Sequence, residues 1–386
     1  MRSFTEEQVM FRAAYRRFLE TEVAPRMPEF KEAGIVDREI FKKAGEQGFL
    51  MVWPDEKYGG LGDDDFRYEQ IIIEETVRGG CGGWYNSLHS RLVGPYFDKF
   101  ANEEQRQRFL PACVRGEKIL AIAMTEPDAG SDLAGMRTSA KDMGDHFVLN
   151  GSKTYISNGI NSDVIIVVAK LDGAESPHAM VLLIVERGME GFERGRNLDK
   201  MGQKAQDTAE LFFSNVKIPK DNVLGEPGKG FLYLMHGLAE ERLQGAVGFI
   251  AGARLAFNIT REFCMERKMF GKTLAHMQNT QFKMAEMDME IDMAQTYVDH
   301  CVDLLNADQL TPEIGAKVKC LTSEIEWKMI DLGVQLHGGA GYMREYPICE
   351  MFTDARVNRI YAGTSEVMKL IVGREIFSDG YSSILD

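Results

Sequence analysis

Phe147-Val148-Leu149-Asn150-Gly151 is the stretch that decides the fold, because it interrupts a chain that otherwise reads as helix. An apolar, β-branched run meeting Asn-Gly is a strong hairpin signal, since both residues tolerate the positive φ of a tight turn. The same grammar continues downstream. Residues 163–169, 179–185 and 210–218 are short apolar or β-branched runs separated by turn residues, which predicts a small β domain over 120–226.

On either side the period is helical. Residues 66–77 carry the helical pattern of a domain over 1–119, punctuated by glycine-rich turns at 58–62 and 79–83. In the last part, 227–386, Ile314, Val318, Leu321, Ile325 and Met329 recur at three or four residues, the mark of a helix buried along one stripe. The methionines of 284–293 read as adaptable core packing rather than a cofactor box. The class is α+β: an all-helical domain, a central β-barrel-like domain and a closing four-helix bundle.

Composition narrows the function. A chain of 386 residues, 44% hydrophobic, can bury more than one core. Its formal charge of -14 repels phosphate backbones, so nucleic acid is excluded as a partner and an anionic ligand must meet a local basic group. The six cysteines lie far apart without the spacing of a zinc site, so no metal is expected and the thiols read as buried, free and kept reduced. The first residues lack an apolar signal core, and no apolar run approaches the ~20 residues of a membrane span. A cytoplasmic protein without stable membrane insertion is expected.

Two glycine-rich polar segments stand some two hundred residues apart, Met124-Thr125-Glu126-Pro127-Asp128-Ala129-Gly130-Ser131-Asp132 and Gln335-Leu336-His337-Gly338-Gly339-Ala340-Gly341. Neither follows a strand in the manner of a dinucleotide fingerprint. Gly271-Lys272-Thr273 ends like a phosphate-binding loop, but Glu266 stands where its first glycine must be. A large organic cofactor gripped at distant places fits better, although 123–132 and 155–159, each taken alone, read equally well as turns with local hydrogen bonds.

With Tyr155-Ile156-Ser157-Asn158-Gly159, Arg267-Lys268-Met269-Phe270-Gly271 and Ile360-Tyr361-Ala362-Gly363-Thr364-Ser365-Glu366, these segments closely resemble the acyl-CoA dehydrogenase family, in order over nearly the whole chain. The long-chain subtype is the most similar, notably across residues 201–213. The resemblance implies FAD as cofactor. It places Met124, Thr125, Gly130, Ser131, Tyr155 and Ser157 along the flavin ring, with Tyr155 where many relatives have tryptophan. It places Arg267, Phe270, Gln278, Gln335, Gly338 and Gly339 on the diphosphate and adenosine of a neighbouring subunit's FAD, with Thr364 and Glu366 on the home side. That arrangement implies an obligate oligomer, a homotetramer. Ser131, Arg242, Ala362, Gly363 and Arg374 are the implied substrate contacts.

Many relatives carry their catalytic glutamate directly before the Gly-Thr of the last motif, where this chain has Ala362. The long-chain and isovaleryl branches move the base to a helix, at the position of Glu241. Helical steps of four, three and four lead from Glu241 to Gly245, Gly248 and Gly252, so all three glycines lie within about 40° of Glu241 around the helix. A strip without side chains admits either a ligand or a neighbouring helix. Leu234 and Leu238 share that face, so Glu241 should sit in apolar company that raises its pKa. Glu240 is the rival carboxylate, turned about 100° away.

The implied reaction is α,β-dehydrogenation of a fatty acyl-CoA, medium, long or branched, to its trans-2-enoyl-CoA, with electrons passed to electron-transferring flavoprotein. In relatives the backbone N–H at the position of Ala362 helps polarise the thioester carbonyl. Citronellyl-CoA or isovaleryl-CoA dehydrogenation, a flavin monooxygenase or nitroalkane oxidase on the same fold, and a non-catalytic scaffold are the competing readings.

Overall fold

The computed structural model describes residues 3–379 and 381. The chain opens with helices α1 (Glu6–Phe18), α2 (Met27–Ala33), α3 (Arg38–Glu46), α4 (Arg67–Arg78), α5 (Gly94–Phe100) and α6 (Glu103–Val114). Local chemistry sets their starts. Thr5 and Asn102 each accept from the backbone three residues on, at Gln8 and Gln105, whose side chains reach back to the cap in a reciprocal box.

The middle of the chain supplies β1 (Leu120–Ala123), β2 (Ser139–Asp142), β3 (His146–Ser157), β4 (Val164–Leu171), β5 (Met180–Glu186), β6 (Phe192–Asn197), β7 (Thr208–Pro219) and β8 (Val223–Gly228). They form one sheet in the order β6-β7-β3-β2-β4-β5-β8, with β1 running parallel to β4. No pairing joins β6 to β8 among the described residues, so the ladder stays open. β4 and β5 read as continuous apolar runs because both faces are covered. Val164, Ile166 and Val168 face the helical domain around Tyr96, Phe97 and Phe109, while Ile165, Val167 and Ala169 enter the core of the sheet.

Asn150-Gly151 is not a hairpin turn. It lies inside β3, where the register against β7 slips between Leu149 and Gly151. The side chains of Asn150 and Asn215 bridge the slip, with Asn215 held at φ 53°. A Cβ on Gly151 would lie 2.6 Å from Thr138 Cα, so glycine marks a bulge and a close approach. The hairpin itself is turned by Gly144, between β2 and β3.

The remainder is helical: α7 (Gly230–Glu266), a two-stranded ribbon β9 (Lys268–Met269) and β10 (Lys272–Thr273), then α8 (Gln278–Asn306), α9 (Pro312–His337), α10 (Pro347–Ala355) and α11 (Ser365–Ile376). Leu243, Val247, Ile250, Met287, Ile291, Val298, Val318 and Met329 form its core, joined by Phe66 and Ile73 from the N-terminal helices. Two expectations change here. Leu321 is 43% exposed, and the buried face of α9 instead carries Lys319, Thr322, Ser323 and Glu326. Met287 is buried, but Met289 and Met293 point outward, so that run is only partly core. None of the described helices is long and apolar enough to cross a membrane.

Candidate active site

Glu240, Glu241 and Arg242 are consecutive on α7, and all three are buried. At 100° per residue they face three different neighbours. Glu240 is neutralised by Arg91 Nε at 2.6 Å and Lys99 Nζ at 3.4 Å. Arg242 donates to the Pro312 carbonyl at 3.4 Å, and its buried Nε has no protein partner. Glu241 accepts one hydrogen bond, from the Tyr96 hydroxyl at 3.0 Å, and forms no ion pair among the described residues.

That difference separates the two carboxylates chemically. Burial pushes the Glu241 carboxyl up to about 7, and neighbouring Glu240 adds to the rise. The Tyr96 bond and the Arg242 charge pull the other way without cancelling it. Gly237 makes room for the pair: a Cβ there would stand 3.0 Å from Glu241 Oε1 and 3.1 Å from the Tyr96 oxygen. Glu241, Tyr96, Gly237, Leu92 and Phe100 line the same small cleft.

Packing explains part of the glycine strip. A Cβ on Gly245 would meet the Phe249 ring at 3.0 Å, one on Gly248 would meet Ile73 of α4 at 3.4 Å, and one on Gly252 would overlap the Glu326 carboxylate. Neighbouring side chains crowd Gly245 and Gly252, whereas Gly248 stands at ordinary contact distance from Ile73.

Ala362 and Gly363 both adopt the left-handed conformation, with φ 52° and 95°. An alanine there is strained, and such strain collects at functional sites. The preceding Tyr361 stacks on Phe249 of α7, ring centroids 6.2 Å apart, which lays this turn against the helix that carries Glu241. Thr364 caps α11 by accepting from the Val367 N–H, and Glu366 is exposed in its first turn. Arg374 is exposed, ten residues along α11 from Thr364 and so roughly 15 Å away.

Met124 and Thr125 leave the end of β1 and are pinned to β3. The Met124 carbonyl accepts from Lys153 Nζ at 2.9 Å, and the Thr125 carbonyl from the Thr154 N–H at 2.9 Å. Lys153 is fully buried and paired with Glu126 at 2.8 Å, which also accepts from the Arg137 and Thr138 N–H groups. Next to this anchor the β3–β7 register slips again, and Tyr155 is ejected at φ 58° with 68% of its surface exposed. Ser157 rejoins the ladder opposite Thr208. Gly130 and Ser131 stay exposed on the loop.

The second group lies at the far end of the bundle. Arg267 caps α7, Phe270 tips the β9–β10 ribbon at 89% exposure, and Gln278 opens α8. Phe263 stacks on His337 at 4.2 Å, which draws Gln335, Gly338 and Gly339 alongside. No hydrogen bond or ring contact among the described residues joins this group to Met124, Thr125 or Tyr155. Both groups suit a large flavin nucleotide. An exposed aromatic ring is displayed at each, and at Gly130, Gly338 and Gly339 a Cβ would meet nothing within 4 Å, so bare backbone faces open space.

Sequence reasoning missed Tyr96, Arg91 and Lys99, which come from 140 to 150 residues away and carry no local signal. Gly237 had one: a glycine four residues before a helical glutamate.

Models of the acyl-CoA dehydrogenase N-terminal, middle and C-terminal domains match residues 5–117, 121–216 and 228–377. The long-chain specific acyl-CoA dehydrogenase of Mus musculus mitochondria is 46% identical over 98% of this chain and 88% of its own length. The crystal structure of an acyl-CoA dehydrogenase from Geobacillus kaustophilus superposes with a TM-score of 0.95 at 45% identity, covering 98% of this chain and 100% of the other. An acyl-CoA dehydrogenase from Bacillus anthracis, complexed with FAD, superposes at 0.91 with 32% identity, covering 97% of this chain and 67% of that one.

Proposed function

The chain belongs to the acyl-CoA dehydrogenase family, and on that premise we propose Glu241 as the base in its FAD-dependent oxidation of an acyl-CoA. The observation that carries this reading is a buried carboxylate, uncompensated by any cation within ion-pair distance among the described residues, on a helix packed against the Ala362–Gly363 turn.

The α-hydrogen of a thioester is weakly acidic, so removing it takes a base and a polarised carbonyl together. With its carboxyl near 7, Glu241 is poised between its two forms at neutral pH, where a general base is most effective. It takes the α-proton onto its carboxylate. The Ala362 N–H serves as a donor to the thioester oxygen, a role that the side chain's lack of a carboxylate leaves intact. Tyr96 holds the Glu241 carboxylate in place, and Arg242, whose buried Nε lacks a protein partner, orients the thioester. FAD, when bound, would supply the acceptor for the β-hydrogen together with its two electrons, so that loss of the α-proton to Glu241 gives a trans-2-enoyl-CoA.

Met124, Thr125, Gly130, Ser131, Tyr155 and Ser157 would hold the ring end of FAD. Arg267, Phe270, Gln278, Gln335, Gly338 and Gly339 of a second copy would hold its diphosphate and adenosine, with Thr364 and Glu366 on the home side. The separation of the two groups within one chain supports an assembly of copies, which we read as a tetramer. Ser131, Gly363 and Arg374 would meet the acyl-CoA along its length. Likeness to a long-chain enzyme supports a longer acyl group, and likeness to a chain from a structure of the electron transferring flavoprotein of Acidaminococcus fermentans supports such a flavoprotein as the acceptor. Unpaired cysteines support a reducing compartment, read as the cytoplasm.

A screen of thioesters from butanoyl-CoA to octadecanoyl-CoA, with isovaleryl-CoA and citronellyl-CoA, tests the reading with an artificial electron acceptor. Turnover should peak among the longer chains. A flavin-loaded protein that oxidises none of them contradicts it.

A further inference from the structure

A set of polar links runs from α9 to the turn before α11. Lys319 Nζ donates to the Gly363 carbonyl at 2.8 Å. Glu324 Oε1 accepts from Ser365 Oγ at 2.6 Å and from Arg359 Nε at 2.9 Å, and Glu326 Oε2 accepts from Asn358 Nδ2 at 2.6 Å. These anchors fall on both sides of Ala362.

Lys319 is the unusual member. Its side chain is fully buried, and no carboxylate pairs with it among the described residues. Burial draws its ammonium down to about 8, and the Arg242 charge pushes the same way. Holding a cation in such a place is costly, so a bond spent on a single carbonyl needs a reason beyond helix packing.

The turn supplies one. Ala362 is held where an L-residue is strained, and Gly363 is the residue freest to relax that strain. A strained backbone persists only when its surroundings over-determine it. At φ 95° Gly363 itself stands where an L side chain is strained, and a Cβ there would displace the end of the Met368 side chain.

We propose that Lys319 is a positioning residue for the dehydrogenation: by holding the Gly363 carbonyl, it locks the left-handed turn and aims the Ala362 N–H at the thioester carbonyl. This rests on the reading that Ala362 receives that carbonyl.

Lys319→Met in the flavin-loaded enzyme keeps the length of the side chain and removes the ammonium. Infrared spectra of a bound 2-enoyl-CoA, isotopically labelled at the carbonyl, report polarisation directly. The wild type should shift the carbonyl stretch down from its value in water, and the variant should return most of the way. Its kcat should fall about 10- to 100-fold with little change in KM, the lower range for a weakened oxyanion donor. Affinity for an S-alkyl-CoA thioether, which has no carbonyl, should stay within about twofold, because no thioester donor is involved. Glu324→Ala is a partly exposed change that releases the Arg359 and Ser365 anchors. It should move the stretch in the same direction by less, and it carries the test if Lys319→Met does not fold.

A stretch unmoved in the folded variants overturns the role of Lys319, as does an equal loss of thioether and thioester binding. A wild-type stretch unshifted from water overturns the proposal at its base, by removing Ala362 as the donor.

Discussion

Glu241→Gln should make the enzyme slower and more stable at once. The carboxyl rises from 4.5 to about 7 on folding. At ~1.4 kcal/mol for each pH unit this sets a ceiling of roughly 3 kcal/mol on the cost of keeping it ionised in the fold. The sign follows from proton counting. Between those two values the folded chain binds more protons than the unfolded one, so the group's share of stability is present below 4.5 and lost as pH rises through 7.

Glutamine is neutral throughout and escapes that loss. Its oxygen can still accept from Tyr96, but its NH2 needs a new partner, at about 1 kcal/mol. A net gain of about 1–2 kcal/mol at pH 8 is expected, falling to zero a little above pH 5 and reversing to a loss of about 1 kcal/mol at lower pH. Urea unfolding of wild type and variant at several pH values measures it. Turnover should fall by about 10²- to 10⁴-fold while acyl-CoA and flavin remain bound, since an amide cannot take the proton. A variant less stable than wild type at pH 8, or a difference that ignores pH, would refute the uncompensated burial on which the reasoning stands.

Other changes probe the same frame. Tyr96→Phe removes the donor that steadies the charged form of Glu241, so the acid limb of kcat/KM should move from near 7 toward alkaline pH by roughly half to one unit; a limb that stays put or moves down counts against the pairing. Gly252→Ala would overlap the Glu326 carboxylate and should cost about 1–3 kcal/mol in denaturant unfolding, whereas a neutral result means that side chain is free to swing. Ala362→Glu combined with Glu241→Gly should recover at least about tenfold in turnover over Glu241→Gly alone, since a general base is worth far more than that. Ala362 is already left-handed, so glutamate adds no new backbone strain. A folded, flavin-loaded double variant no faster than the single one would show that the two positions do not flank one carbon.

The architecture was legible because periodicity reports burial. Residues 163–169 and 179–185 read as strands, and their continuous apolar character follows from cores on both faces of β4 and β5. Asn150-Gly151 misled because a bulge and a tight turn ask for the same backbone freedom, and only the neighbouring Thr138 tells them apart. Leu321 misled because apolar spacing does not reveal that the buried face of α9 mixes Val318 and Met329 with polar groups, Lys319 and Glu326 being spent on the turn before α11. Glu241 could be picked from the missing carboxylate at Ala362, yet its contrast with Glu240 depends on Arg91, Lys99 and Tyr96, which reach it from the N-terminal helices. Such long-range pairing leaves no trace in local spacing.

Exchange of the α-hydrogens of a bound acyl-CoA in deuterium oxide isolates proton removal from the oxidation that follows. Mass spectrometry of the recovered thioester, under conditions where no electron acceptor turns over, should show deuterium at the α-carbon with wild type and none above background with Glu241→Gln. Exchange at the wild-type rate in that variant, folded and carrying flavin, would mean that another group takes the proton.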